Sequence, residues 1–170
     1  DHKQQINFSV PTGNFGDVYA GYLAKKLGLP INKLIVATNQ NDILHRAISE
    51  GKYEAAHVSE TISPSMDKQN ASNFERLIYD LNDHDSSQTL DDMKNIKQKS
   101  QYLINNEKLK KINKDFLSAR MSEQQTLDVI KNVYEKFNMI LDPHTAIGYG
   151  AFDKHNLKGN NIVLATAHPC

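Results

Sequence analysis

The stretch of residues 8–21 constrains what this chain can fold into more than any other. Apolar and polar residues alternate up to Val10, as they do in a β-strand, and a Gly-x-x-Gly turn at residues 13–16 follows Pro11. A helical pattern begins directly after the turn. A strand, a glycine turn and a helix in this order are typical of small anion sites in α/β proteins, because glycine lets the backbone approach a ligand and the first helical N–H groups point at it.

The turn itself contains no lysine or arginine. A phosphate bound there would be held mainly by backbone N–H groups, together with the hydroxyl of Thr12 and the side-chain amide of Asn14. The spacing matches neither the Walker loop, which ends in Gly-Lys-Ser/Thr, nor the three-glycine dinucleotide loop. Taken alone, the pattern fits a structural turn and an anion site equally well. Asp17 suits a structural role, as a negative charge at the helix start with its side chain turned away from the anion.

The remaining hydropathy pattern predicts an α/β fold. After a helix over residues 16–27, the nearly continuous apolar run 34–37 is typical of a strand buried on both faces of a parallel sheet. A second helix over about 43–50 follows, and the run 162–165 predicts another buried strand. We therefore expect a three-layer α/β domain, in which an open, mostly parallel sheet is flanked by helices.

The segment 83–118 differs in composition from the rest of the chain. It is rich in Asp, Asn, Lys and Gln with few apolar positions, which predicts helices on the outside of the domain as a peripheral insertion. After it, Ser122 and Gln125 have the spacing of a capping box. The helix that follows is expected to bury a stripe formed by Leu127, Ile130, Tyr134 and Phe137. A short helix with many small residues is predicted over 144–152.

Composition and charge narrow the classes of partner. The chain has 20 basic and 20 acidic residues, which gives no electrostatic case for binding nucleic acid or an anionic membrane. It has no apolar run near the roughly 20 residues of a spanning helix, and its single cysteine excludes an intrachain disulfide. That cysteine usage suits a reducing compartment, so we predict a cytoplasmic protein. Its seven histidines lack metal-ligand spacing, and we predict no metal site.

Residues 9–31 closely resemble threonine synthase, a family within the β-type (fold type II) pyridoxal phosphate enzymes. Further matches in the order of that family lie at residues 34–42, 63–67, 72–77, 142–148 and 165–169. The resemblance covers most of the chain except roughly 83–118, and it is far more specific than the glycine turn alone. It implies that residues 1–170 form one α/β domain, a part of the large domain that binds the cofactor.

The resemblance also implies a cofactor site. Pyridoxal 5′-phosphate is the expected cofactor, with its phosphate held by Thr12, Gly13, Asn14, Phe15 and Gly16. Thr166, just past the last predicted strand, is expected to face the pyridine nitrogen, because a hydroxyl residue stands there in the β-type family. A neutral hydroxyl at that nitrogen tunes how far the ring acts as an electron sink. The alternative for Thr166 is a residue that only ends the strand.

The expected reaction of the family converts O-phosphohomoserine and water to threonine and phosphate. The lysine that forms the Schiff base, which is also the general base, lies in an earlier part of that family, and no lysine here has a similar context. We therefore expect no catalytic residue in this chain, an N-terminal part of the same enzyme as its partner, and no activity of the isolated chain. Cys170 departs from the family, where alanine is usual.

Two other functions stay open on the sequence. The first is another β-type enzyme, such as a dehydratase or sulfhydrylase acting on serine derivatives, although residues 63–67 and 72–77 favour threonine synthase. The second is a non-catalytic module that binds a phosphate ligand. Individual roles are also open: Asn39, Asn41 and Asp42 suit either the substrate side or the cap of a helix, and Arg76 suits either a substrate anion or an internal salt bridge.

Overall fold

The computed structural model describes residues 5–169, and its largest sheet has four parallel strands. Hydrogen bonding sets the strand order β5-β2-β1-β6, and a smaller antiparallel sheet pairs β3 with β4. The strands are β1 (Ile6–Pro11), β2 (Ile31–Thr38), β3 (Lys52–Glu54), β4 (Gln101–Leu103), β5 (Phe116–Arg120) and β6 (Asn160–Val163). The parallel main sheet was predicted from the buried run in β2.

Seven α-helices connect the strands within the described residues. They are α1 (Gly16–Lys26), α2 (Ile43–Glu50), α3 (Phe74–Leu81), α4 (Ser86–Lys99), α5 (Asn106–Asp115), α6 (Glu123–Phe137) and α7 (Pro143–Asp153), with one 3₁₀ turn at Pro64–Met66. The predicted capping box is confirmed: Ser122 accepts from the Gln125 amide, and Gln125 accepts from the Ser122 amide. Among these helices, none has the length and apolar character needed to cross a bilayer.

The strand β2 lies in the middle layer and is buried on both faces, as predicted. Leu34 and Val36 pack into a cluster with residues of α1, α2 and α3. Ile35 and Ala37 face the other way and pack against Ile147 of α7. Successive side chains of a strand point to opposite faces, so a sheet covered on both sides needs apolar residues at every position. The three-layer α/β architecture is confirmed.

The strand β5 was not predicted. Residues 83–118, interpreted as a peripheral helical insertion, contain α4, β4 and α5 but also the first residues of β5. Phe116 is only 1% exposed and pairs with Leu34 of β2, so the end of this segment belongs to the main sheet. The strand is only five residues long, and the sequence before it is rich in lysine. Its alternation of apolar and polar residues is therefore too short to stand out in the sequence.

The prediction of which face of α6 is buried is wrong. Leu127, Tyr134 and Phe137 are about half exposed, whereas Thr126 and Val133 are buried. The reason is the partner helix α7, whose small residues let the other face of α6 approach closely. A Cβ added to Gly150 of α7 would lie 3.0 Å from Cγ2 of Val129.

The last strand was also predicted as buried, and this too is wrong. β6 begins at Asn160 and ends at Val163, and Ile162 is 41% exposed. β6 pairs with β1 on one side only and forms an edge of the described sheet, so its outward positions are not covered.

Candidate anion site at the carboxyl edge of the sheet

The glycine turn lies at the carboxyl end of β1 and leads directly into α1. It borders a cleft of about 250 Å³ that is lined by residues 11–18 and by Asn73. Open α/β sheets bind their ligands at this edge. The structure therefore brings Thr12, Gly13, Asn14, Phe15 and Gly16 together around one cleft.

The backbone N–H groups of this turn are available to a ligand. Within residues 5–169, the N–H groups of residues 13–18 donate to no protein acceptor, and the first helical bond of α1 runs from the Tyr19 amide to the Phe15 carbonyl at 3.1 Å. Unpaired amides at a helix start carry partial positive charge and favour an anion. The amides of residues 13–16 therefore donate no hydrogen bonds to carbonyl groups of the described residues.

Thr12, whose hydroxyl is predicted to bind phosphate, makes two hydrogen bonds within the protein. Its amide donates to the Ala37 carbonyl at 2.8 Å, and its Oγ1 donates to the Val10 carbonyl at 2.6 Å. The side chain is buried, at 5% exposure. Its amide is thus engaged by the neighbouring strand β2 and its hydroxyl by its own strand β1, and Thr12 fixes the point at which the turn leaves the sheet.

Phe15 holds the turn in a strained backbone conformation. Its φ of 70° and ψ of 5° lie in the left-handed region, which is unusual for a bulky residue. The side chain is 1% exposed and packs on Phe74, with ring centroids 5.2 Å apart, and on Phe116, at 5.7 Å. We call Phe15, Phe74 and Phe116 the aromatic anchor.

The aromatic anchor is strong enough to hold the strain. A left-handed non-glycine residue costs about 1–3 kcal/mol. Burying a phenylalanine side chain returns about 1.5–3 kcal/mol, and each aromatic pair adds about 0.5–1.5 kcal/mol. The sum favours the strained turn, and the anchor therefore determines the direction in which the free amides point.

Gly13 permits a close approach from behind the turn. A Cβ at this position would lie 2.9 Å from the Ser65 carbonyl oxygen, which is backbone of the 3₁₀ turn and has little freedom to move. A Cβ at Gly16 would meet Nδ2 of Asn73 at 3.2 Å. Gly13 is therefore needed for packing, whereas a side chain at Gly16 would require the Asn73 side chain to shift. The position of Asn73 over the turn was not predicted. Its only sequence signal was membership of the matching segment 72–77.

The polar residues after β2 organise the loop that supports the turn. Asn39 and Asn41 are each 3% exposed, and both donate through Nδ2 to Oδ1 of Asp67, at 2.7 and 2.9 Å. The amide of Thr61 donates to the other carboxylate oxygen at 2.8 Å. These bonds fix the segment that carries the 3₁₀ turn behind Gly13.

Asp42 and Arg76 each lack one of the two interactions predicted for them. Asp42 occupies the N-cap of α2 without capping it through its side chain, and pairs instead with Arg46 at 2.9 Å and Arg120 at 3.6 Å. Arg76 has no salt bridge to another residue in 5–169. It lines a wider, neighbouring cleft of about 750 Å³ between α3 and α4, and Asn73 borders both clefts.

Thr166 lies at the same edge of the sheet as the glycine turn. Ser9 of β1 is level with Val163 of β6, and the Leu164 amide continues the pairing by donating to the Ser9 carbonyl at 3.0 Å. Thr166 lies two residues after Leu164, beyond the carboxyl end of β6. Thr166 is exposed. The departure predicted at Cys170 lies outside the described residues.

The start of α7 contains a buried polar pair that was not predicted. Asp142 caps the helix by accepting from the amides of His144, at 2.8 Å, and Thr145, at 3.2 Å, and also from the Thr145 hydroxyl. His144 Nδ1 lies 3.0 Å from the same carboxyl group. Burial raises the pKa of Asp142, but the hydrogen bonds from Thr145 and His144 outweigh it and hold that pKa below its ordinary value.

The fold and the position of this cleft define the class of the chain. It superimposes with a TM-score of 0.55, at 13% identity, on a fungal L-serine ammonia-lyase from Rhizomucor miehei, covering 98% of this chain and 45% of that one. At this identity the likeness shows the fold alone. The fold is that of the fold type II pyridoxal phosphate enzymes, as expected.

The particular relatives are threonine synthases. The structure of pyridoxal phosphate-bound threonine synthase from Brucella melitensis matches with a TM-score of 0.95 and 43% identity, over 98% of this chain and 36% of that chain. Threonine synthase from Pseudomonas aeruginosa is 42% identical over 168 residues, which are 98% of this chain and 36% of that protein. No family model matches the chain.

The resemblance to threonine synthase is therefore confirmed for nearly the whole chain. The chain spans about a third of the length of these relatives, since it covers 36% of each.

Proposed function

We propose that this chain is the part of a threonine synthase that binds the phosphate of pyridoxal 5′-phosphate. The observation that carries the proposal is the row of unpaired amides at residues 13–18, which lines a cleft at the carboxyl edge of a fold type II sheet. We call the unpaired amides of residues 13–18 the cradle. An uncharged site of this kind suits a phosphate dianion, which needs several converging N–H donors.

Different residues around the cleft would contact different parts of the cofactor. The backbone amides of Gly13 to Gly16 would bind the phosphate, with the side-chain amides of Asn14 and Asn73 as further donors. Thr12 sets where the turn begins, and Thr166 would face the pyridine nitrogen. When bound, the cofactor supplies an electron sink for the carbon chemistry of the reaction.

The substrate and partner follow from the same proposal. The whole enzyme would convert O-phosphohomoserine and water to threonine and phosphate, as a lyase of threonine biosynthesis. Its cofactor lysine would come from the remaining part of the enzyme, because no lysine here stands in a comparable context. We expect this chain alone to release no phosphate from O-phosphohomoserine. A cytoplasmic location, which the cysteine usage favours, belongs to the same proposal.

Calorimetric titration with pyridoxine 5′-phosphate tests the proposal. This compound keeps the ring and phosphate but lacks the aldehyde, so it forms no adduct with surface lysines. We expect saturable 1:1 binding to the chain. Gly13→Ala should abolish it, because the added Cβ would push the turn away from the Ser65 carbonyl at 2.9 Å.

The matched control is Gly28→Asn. Gly28 has a positive φ of 105° and follows α1, where a Cβ meets nothing within 4 Å, so the substitution strains the backbone without displacing the glycine turn. Binding unchanged by Gly28→Asn and lost in Gly13→Ala supports the cradle. Equal affinity of Gly13→Ala and the unmodified chain would overturn it.

A further inference from the structure

We propose that His144 accepts a hydrogen bond from the small molecule bound at the carboxyl edge, and that Asp142 holds its ring for that purpose. This inference rests on the proposed function, since it concerns the same ligand. The observation behind it is Nε2 of His144, which is buried and has no hydrogen-bond partner among residues 5–169.

The neighbouring carboxyl group determines which ring nitrogen carries the proton. Nδ1 of His144 lies 3.0 Å from Oδ1 of Asp142, and an ionised carboxylate only accepts hydrogen bonds. Nδ1 is therefore a donor, and in the neutral ring Nε2 carries a lone pair. A buried acceptor without a donor is costly and rare in folded proteins, which calls for an explanation.

The position of His144 on α7 provides that explanation. His144 and Gly148 are four residues apart and share one face of the helix. Gly148 faces the ends of β1 and β6, because a Cβ there would lie 3.0 Å from Cγ1 of Val163 and 3.1 Å from Cγ of Pro11. Helical side chains lean towards the N-terminus, so His144 lies beyond those strand ends. It is thereby placed at the carboxyl edge of the sheet, where the glycine turn follows β1.

The chemistry of Nε2 defines the group that it would bind. A neutral imidazole nitrogen accepts from an O–H or N–H donor and gains nothing from a phosphate dianion. The hydroxyl groups of a pyridoxal-type ring and the ammonium of an amino-acid substrate both carry such donors. His144 would thus contact the organic part of the ligand, while the cradle holds the phosphate.

Two variants separate the roles of the two ring nitrogens. His144→Asn keeps an N–H where Nδ1 donates to Asp142 but removes the acceptor at Nε2. His144→Gln places a carbonyl oxygen near Nε2 and restores an acceptor. We expect His144→Asn to weaken binding of pyridoxine 5′-phosphate about tenfold, the effect of one lost hydrogen bond. His144→Gln should recover most of that loss, and neither should change the affinity for inorganic phosphate.

A direct readout comes from ¹⁵N NMR of the histidine-labelled chain. We expect the Nε2 resonance of His144 to be that of an unprotonated nitrogen and to shift when its donor binds. A shift with pyridoxine 5′-phosphate assigns the donor to the ring, and a shift only with O-phosphohomoserine assigns it to the ammonium group. Inorganic phosphate should cause no shift.

The outcomes distinguish this inference from the proposed function. An unchanged Nε2 resonance with both organic ligands, together with full affinity of His144→Asn, would overturn the role of His144 while leaving the phosphate cradle intact. A chain that binds neither pyridoxine 5′-phosphate nor inorganic phosphate would overturn both.

Discussion

Asn73 completes the cleft with a side chain that comes from outside the glycine turn. Its backbone amide donates to the Asn14 carbonyl at 3.1 Å, which ties the start of α3 to the turn. Its Nδ2 lies near Gly16 and lines the same cleft as the free amides. At the residue scale, Asn73 and the turn therefore form one unit, although nearly sixty residues of sequence separate them.

Substitution of Asn73 tests whether its side chain contributes a donor. Asn73→Ala should weaken binding of inorganic phosphate about threefold to tenfold, the effect of one lost hydrogen bond. Asn73→Asp should weaken it further, because a carboxylate would face the anion. Both affinities can be measured by calorimetry at low salt. Asn73→Asp binding as tightly as the unmodified chain would remove Asn73 from the site.

Asp142 gives the chain a pH-dependent contribution to stability. Hydrogen bonds hold its folded-state pKa below the value of the unfolded chain, which is about 3.9. Its ionised form therefore stabilises the fold above that unfolded value, and the contribution is lost as the pH falls through the folded-state pKa. Asparagine caps a helix as well as aspartate does, so Asp142→Asn isolates the charge.

We expect Asp142→Asn to lower the free energy of unfolding by about 1–2 kcal/mol near neutral pH. The deficit should be smaller at an acidic pH below the unfolded-state value of about 3.9, because the contribution of the charge is lost as the pH falls through the folded-state pKa. Urea denaturation at the two pH values measures it. Asp17→Asn is the control, since Asp17 is exposed and should show a smaller deficit. A deficit of equal size at both pH values would contradict the assignment.

At the scale of elements, β5 connects the helical segment 83–118 to the proposed site. It delivers Phe116 to the aromatic anchor beside Phe15, while α3 delivers Phe74. The anchor therefore joins three elements that are distant in sequence, and the shape of the glycine turn depends on all of them.

Loosening the aromatic anchor should impair the cradle. Phe116→Leu is expected to cost about 1–1.5 kcal/mol of stability and to weaken phosphate binding, because the strained Phe15 backbone can then relax. The control is Ile112→Val, at a site that is equally buried in the same cluster and should cost about 0.5–1.5 kcal/mol. Phosphate affinity lost in both variants in proportion to stability would mean that the anchor has no specific role.

The contrast between predicted and unpredicted elements has a physical origin. β2 and the glycine turn were predictable because each depends on local sequence: a strand buried on both faces must be apolar throughout, and a tight turn at a ligand needs glycine. The exposed stripe of α6 and the strand β5 depend on which surface packs against them. The same holds for Thr12, since only the fold shows that its hydroxyl donates to Val10.

At the scale of the whole molecule, α6 and the residues after it carry several exposed apolar side chains. Leu127, Tyr134 and Phe137 are each 49–53% exposed, and Met139 and Ile140 continue the surface at 51% and 61%. Contiguous exposed apolar surface of this kind promotes association. We therefore expect the isolated chain to self-associate through this face as its concentration rises.

Substitution at Phe137 tests the role of this surface. Phe137→Gln should raise the concentration at which dimers form by about tenfold, with stability changed by less than about 0.5 kcal/mol. Leu103→Gln is the control, because Leu103 is 62% exposed but lies in β4, away from α6. Sedimentation velocity over a concentration series measures both. Equal effects of the two substitutions would show that association does not depend on α6.

The central claim is that the free amides at the carboxyl end of β1 bind a phosphate group. The most direct test is ¹⁵N–¹H NMR of the chain during titration with inorganic phosphate, followed by pyridoxine 5′-phosphate. Saturating shifts centred on the amides of residues 13–18 are the predicted result. Amides of residues 13–18 that stay unperturbed while shifts collect around Arg76 and the residues of α4 that line the wider cleft would contradict the account.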